Sequence, residues 1–196
     1  MTAEARPCPW VGDDPSMRRY HDEEWGVPLF DPRRTFEFLL LETMQAGLSW
    51  RVVLHKRAAL REAFAGFDPE RVAAFEEQDV ATMLADARLI RHRGKLEAAI
   101  GNARAFLALE EGPGFVPHAW SFVGGAPRQH RYRRLDEVPS VTPESEALAG
   151  DLRRRGFRFV GPTVLYAHMQ ATGMVNDHLL SCPRHAAVAR LAGAQA

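Results

Sequence analysis

At four points a capping residue or a glycine directly before proline announces a helix: Asp31-Pro32, Asp68-Pro69, Thr142-Pro143 and Gly161-Pro162. A side-chain oxygen at the N-cap accepts from the first free N–H groups of a helix. Proline at the next position already has helical φ and lacks an N–H that would go unpaired there. Each pair opens a run with apolar residues at helical spacing: TFEFLLLETMQA, ended by Gly47; RVAAF; ESEALAGDLRRR, ended by Gly156; and TVLYAHMQAT, ended by Gly173. Ser49 opens WRVVLHKRAALREAF, DVATMLADA forms a short helix, and Gly94 precedes KLEAAIGNARAFLALEE. Strand signals are poor, so the fold class is all-α. From about 112 to 142, glycines, prolines and arginines predict a long irregular connection with one helical turn at HAWSF.

A hydrophobic content of 46% over 196 residues fills one core or two small lobes. A single domain over 1–196 is expected, with the N-terminal segment returning to meet the C-terminus and with 1–7 and 186–196 as flexible tails. No apolar run reaches the ~18 residues of a membrane span, and MTAEARPCPW lacks the apolar centre of a secretory signal. An intracellular protein is expected. The 25 basic and 25 acidic residues cancel, which argues against coating nucleic acid by bulk charge but leaves room for a local basic surface. Nearly all the basic residues are arginine, the lysines being Lys56 and Lys95 alone.

Inside LLLETMQAGLSW sits one acid, Glu42, sharing a helix face with Phe38, Leu39, Gln45 and Ala46. Desolvating a carboxylate is unfavourable, so this acid either meets an arginine or serves a pocket. Trp50 ends the segment, and Tyr20 and Trp25 lie in YHDEEWG. A carboxylate with aromatic rings can hold a flat cation, although aromatics serve cores as readily.

In RRRGFRFVGPTVLYAHMQA a helix, a turn flanked by Gly156 and Gly161, and a second helix follow one another. Outward N–H groups in such a turn bind phosphate oxygens without reading bases, and Arg153, Arg154, Arg155 and Arg158 give the matching charge. A plain helical corner with a solvated arginine face fits the same residues. IRHRGK at 90–95 is a second basic cluster beside a glycine. Cys8, His21, His178 and Cys182 make a sufficient tetrahedral shell for zinc; Asp14-Pro15 can turn the chain between Cys8 and His21, and His178 and Cys182 are spaced to share a helix side. Four protein ligands leave no open position, so such a metal would be structural. Two buried thiols and two ordinary histidines remain the alternative, with His185 as a further possible ligand.

Taken together, PCPWVGDDP, YHDEEWGVP, LLLETMQAGLSW, LIRHRGKLEAAIGNARAF, WSFV and RGFRFVGPTVLYAHMQATGMVNDH resemble the DNA-3-methyladenine glycosylase I family, the Tag-type branch of the helix-hairpin-helix glycosylases. The resemblance runs in order from about residue 8 to 182. It implies an all-helical fold with its N- and C-terminal segments tied by one structural zinc on Cys8, His21, His178 and Cys182. It implies hydrolytic release of 3-methyladenine from alkylated double-stranded DNA, with Glu42 as the pocket acid and Tyr20, Trp25 and Trp50 as the base-binding aromatics. Gly156, Phe157, Arg158 and Gly161 would hold the DNA backbone. A monomer in the bacterial cytoplasm, associated with the nucleoid through DNA, is implied as well. Two departures from the family pattern stand out: Thr43-Met44, where relatives usually have Gly-Gln, and Met17, where some carry tyrosine. Both would reshape the pocket.

No lysine lies in or beside GFRFVG or its following helix, which excludes a Schiff base there and predicts a monofunctional glycosylase. Asp177 is the nearest residue to the acid that many helix-hairpin-helix glycosylases use to activate water, but it equally suits support of His178. Two rivals are a zinc-dependent hydrolase using Glu42 as base, which would need an open zinc position, and a non-catalytic reader of methylated DNA.

Overall fold

The computed structural model describes residues 6–193. Among them, helix α1 (Pro15–Glu23) leads into α2 (Pro32–Gln45) and α3 (Trp50–Ala63), followed by the short α4 (Pro69–Ala73) and α5 (Glu77–Ala85). The long α6 (Arg93–Glu110) and α7 (Phe115–Ser121) come next, then α8 (Pro143–Arg154), α9 (Pro162–Ala171) and α10 (Pro183–Gly193). Two-residue strands, β1 (Arg128–Gln129) and β2 (Val175–Asn176), pair in parallel with Arg128 opposite Val175. None of the helices is long and apolar enough to cross a membrane.

The capping chemistry works as the sequence implies. Asp31 accepts from the Arg34 N–H at 2.7 Å, Asp68 from Glu70 and Arg71, and Thr142 from Ser145. Three boundaries differ from the sequence reading. Asp14-Pro15 opens a helix rather than a turn, with Asp14 accepting from the Ser16 and Met17 N–H groups. Its run, PSMRRYHDE, buries only Met17, Tyr20 and His21, too sparse a stripe to read as amphipathic. Helix α6 starts at Arg93, capped by the His92 ring, which accepts from the Lys95 N–H at 3.3 Å. Residues 183–193 form α10 where a loose tail was expected from 186. The rest of that tail, 194–196, and residues 1–5 of the other lie outside the described residues.

Helix α2 is the axis of the molecule, buried from Thr35 through Met44. Its Leu39, Leu40, Leu41 and Met44 join the main core, built with α3 to α9. Phe38 turns instead to a smaller cluster of Val11, Met17, Tyr20, Trp25 and Leu179. That second layer combines the two ends of the chain, and its seam is tight. Gly173, at φ +68°, ends α9 where a Cβ would come within 2.4 Å of the Val27 and Pro28 backbone.

One core histidine has no partner. His168 of α9 is fully buried, edge-on to Phe115 at 6.2 Å, and neither ring nitrogen is hydrogen-bonded. Burial pulls its imidazole down from 6.5 to about 4. Because the folded value is depressed, stability is full above pH 6.5 and falls as pH drops through 4, by roughly 3 kcal/mol. His168→Phe should therefore raise stability at pH 7 by about 1 kcal/mol and flatten this acid loss, as measured by urea unfolding at pH 7 and pH 4.5. Equal acid losses in both proteins would refute it.

Candidate active site

A cavity of about 600 Å³ opens between α2, the N-terminal layer and the segment before α8. Glu42, Tyr20, Trp25 and Trp50 all border it, as the sequence predicts, and so does Met17. The Tyr20 and Trp50 rings lie 5.2 Å apart, inclined at 50°. Among the further wall residues that the sequence did not single out are Trp10, Arg51 and Gln170. Trp10 stands 5.0 Å from Trp25, edge to face, and its position two residues after Cys8 was the available clue. Arg51 follows Trp50, and Gln170 comes from α9.

Glu42 is 3% exposed, and its Oε2 is buried with no hydrogen-bond partner. The arginine alternative is settled by its neighbour. Glu37, one and a half turns earlier on α2, takes Arg57 at 2.8 Å and Arg61 at 2.5 Å. Arg57 is further held by both oxygens of Glu24, so neither of these two guanidiniums turns to Glu42. Burial alone pushes the Glu42 carboxyl up from 4.5 to about 8. At neutral pH burial thus favours the neutral form of this acid.

The departures from the family pattern separate. Thr43 is fully buried and donates its hydroxyl to the Leu40 carbonyl at 2.8 Å, while Met44 fills the main core. Neither borders the cavity, so only Met17 changes the wall.

Beneath the cavity floor, Cys8, His21, His178 and Cys182 converge, all buried, with their ligand atoms within 4.8 Å of one another. The His178 Nδ1 to His21 Nε2 separation is 3.2 Å, and Cys182 Sγ lies 3.5 Å from His21 Nε2 and 3.8 Å from His178 Nδ1. Ordinary Zn–S and Zn–N bonds in a tetrahedron would set S···N at about 3.5 Å and N···N at about 3.3 Å. The residues fit. The outer nitrogens agree, since His178 Nε2 donates to the Trp25 carbonyl at 3.0 Å and His21 Nδ1 to Asp22 at 2.7 Å. Both inner nitrogens are thereby left as lone pairs facing the centre. Hydrogen bonding from Cys8 draws the Cys182 thiol toward thiolate, and the same pairing pushes Cys8 up. The cluster can hold a metal ion. His185 is not part of it, since its Nε2 donates to the His130 carbonyl.

Asp177 borders the cavity but is occupied: Tyr166, His130 and Gln170 donate to it at 2.6, 2.6 and 2.8 Å. It makes no hydrogen bond to the His178 ring nitrogens among the described residues, so it does not support that ligand. It ties the β1 segment to α9.

The glycine turn lies away from the cavity. Gly156, at φ +93°, ends α8, and Phe159 holds a left-handed φ of +56°. Phe157 points into the core, whereas the N–H groups of Phe159, Val160 and Gly161 have no partner among the described residues. Asp151 pairs with Arg154 and Arg155, leaving Arg153 and Arg158 without an acidic partner.

With this geometry, the chain matches the methyladenine glycosylase family model over residues 10–185. The chain belongs to that family. It is 51% identical over 176 residues to DNA-3-methyladenine glycosylase 1 of Escherichia coli K12, covering 89% of this chain and 94% of that protein. A crystal structure of 3-methyladenine DNA glycosylase I superposes with a TM-score of 0.89 at 50% identity, covering 91% of this chain and 98% of the other. The Staphylococcus aureus enzyme, solved to show 3-methyladenine recognition, gives 0.87 at 35% identity, with 90% and 95% covered. This methyladenine glycosylase is therefore a hydrolase of N-glycosidic bonds.

The raised Glu42 value carries a sign. The folded state favours the protonated acid, so its contribution is full below pH 4.5 and is lost as pH rises through 8. Glu42→Gln should exceed wild type in stability at pH 7 by roughly 3 kcal/mol and show no such gap at pH 4. Denaturant unfolding at the two pH values checks this, and a gap that does not grow with pH would count against it.

Proposed function

We propose that the chain removes 3-methyladenine from alkylated double-stranded DNA by flipping the nucleotide into the cavity and hydrolysing its N-glycosidic bond. The observation that carries this reading is the unpaired, buried Glu42 set among aromatic rings, in a chain similar to enzymes named for that base. An N3-methylated adenine in DNA is a cation, and its glycosidic bond is weakened already. Rotating a damaged base out of the stack is less unfavourable than rotating a normal one.

As the cation enters, its charge favours ionised Glu42, whose proton leaves to solvent. The carboxylate then accepts from the exocyclic amine. Trp50 stacks on the ring, worth ~1–3 kcal/mol, with Tyr20, Trp25 and Trp10 shaping the rest of the wall. When the bond breaks, its electrons neutralise the departing base, and water adds to the sugar cation with loss of a proton. Glu42 acts on the base and the charge.

The turn between α8 and α9 fits a helix-hairpin-helix grip on DNA. Its free N–H groups from Phe159 to Gly161 suit phosphate oxygens, and Arg158 adds charge, so binding here is independent of sequence. Both lysines are committed elsewhere. Lys56 donates to the Ala87 and Arg88 carbonyls, and Lys95 to those of Met44 and Ala46. Neither borders the cavity, which supports base release without strand cleavage.

Methylated duplex incubated with the protein should yield free 3-methyladenine by chromatography and no nicks before alkali. Glu42→Gln should lower that release by about a hundredfold or more while remaining folded. Wild type that binds methylated duplex yet releases no base would instead make the protein a reader of methylated DNA. Prompt nicking would defeat the monofunctional reading.

Zinc is the metal that the two sulfur and two nitrogen ligands suit, holding residues 8–21 to 178–182 and taking no part in the chemistry. Cys182→Ser should lose bound zinc by elemental analysis and about 3–5 kcal/mol of stability. A variant that keeps both would overturn the assignment.

A further inference from the structure

Helix α6 touches neither base nor phosphate in the reading above, yet it holds the parts that do. Near its start, the Lys95 ammonium is buried and donates to the Met44 carbonyl at 2.9 Å and the Ala46 carbonyl at 2.5 Å. These carbonyls close the C-terminal end of α2, where a cation also answers the helix dipole. They open the turn from 46 to 49 that separates Glu42 from Trp50. No other side chain hydrogen-bonds to the backbone from 44 to 49 among the described residues. Within the turn, Ser49 makes no side-chain cap, Gly47 sits at φ +79°, and Leu48 is exposed. Without Lys95, the spacing between the acid and the stacking ring would rest on a short, weakly tied loop.

Seven residues later, two turns along the same face and about 10 Å away on the helix axis, Asn102 is fully buried. Its amide pairs with the backbone of Arg158, donating to the carbonyl at 3.0 Å and accepting from the N–H at 2.8 Å. That is the middle of the glycine turn. The His92 cap adds a contact to Phe159, ring edge to face at 6.1 Å. One rigid helix thus fastens the pocket turn at one point and the hairpin at another.

We infer that Lys95 and Asn102 are positioning residues, fixing the base pocket and the DNA-gripping hairpin at one spacing through α6. This rests on the proposed function. A flipped nucleotide remains attached to the strand the hairpin holds, so its base reaches Glu42 and Trp50 only when the two sites keep that spacing. The two clamps divide the work. Lys95 sets the pocket side, and Asn102 sets the backbone side.

The test compares Lys95→Met and Asn102→Leu with wild type in three measurements: affinity for unmodified duplex, affinity for free 3-methyladenine, and single-turnover release from saturating methylated duplex. Lys95→Met should lose about tenfold or more in free-base affinity and in release, with duplex affinity within about twofold. Asn102→Leu should show the reverse: about tenfold weaker duplex binding with free-base affinity kept within about twofold. General loosening would move all three together, and that result overturns the inference, as does wild-type release by Lys95→Met. Should Lys95→Met fail to fold, Lys95→Gln keeps a donor on a shorter arm that cannot hold both carbonyls, and the same criteria apply to it. Wild-type protein that releases no base refutes the proposed function itself, a result visible before any variant is compared.

Discussion

A carboxyl group buried without a partner, on a helix buried along its length, is a state that most folds remove by mutation or by pairing. Here pairing was within reach. Glu37 on the same helix collects two arginines, and one of these also serves Glu24. The network spans the end of α1, the body of α2 and α3, with Arg57 shared between Glu24 and Glu37 and Arg61 on Glu37. Glu42 faces the other way, into a space whose walls are rings. Leaving an acid neutral in such a space is destabilising once pH exceeds its unfolded value, so the rest of the molecule must offset that term. The offset comes from the main core and from the joining of the chain ends.

That joining also makes the cavity a cavity. Tyr20 and Trp25 come from the N-terminal layer, Glu42 and Trp50 from the two sides of the α2–α3 turn, and Gln170 from α9. None of these segments is held to the others by local sequence. The Cys/His cluster fastens the first to the last, and Trp25 joins cluster and wall, its carbonyl accepting from His178 and its ring lying 4.6 Å from the same imidazole. Asp177 secures the remaining side by drawing three donors from α9 and the β1 segment. The cluster therefore bears on the cavity wall through Trp25, and through Trp10, whose ring lies 5.4 Å from His21.

Much of this was legible because it was local. Helix starts follow from caps and prolines, and the odd acid in α2 follows from composition within one turn. Four ligands far apart in sequence could be grouped by residue type, but only the family resemblance chose zinc over two buried thiols and two ordinary histidines, since spacing across some 160 residues carries no geometry. The illegible parts are those where one signal stood for two structures. Asp14-Pro15 fits a turn as well as a cap, and only burial of Met17, Tyr20 and His21 decides. Asp177 beside His178 looks like a supporting carboxylate until Tyr166 and His130 are seen to occupy it. Thr43-Met44 seemed to threaten the pocket because sequence adjacency to Glu42 was taken for spatial adjacency. On a helix the next residue turns about 100° away, and both side chains lie in the core. Trp10 and Lys95 were invisible as functional residues because what matters about them is a contact made across the fold.

The neutral net charge finds its explanation in the same geometry. Of the arginines at the glycine turn, two share the carboxylate of Asp151, which also accepts from His118 at 2.6 Å. A protein that gripped DNA by bulk charge would not pair off half of its local cations. Backbone N–H groups in a fixed turn need few charges, because they are already aimed and lose no side-chain entropy on binding. On the proposed function, such a grip is weak per contact and blind to sequence, and discrimination falls to the cavity, where the buried acid would ionise beside a cationic base. Affinity and selectivity would then belong to separate faces of the molecule, and that reading makes a rigid connection between them a requirement rather than an accident of packing.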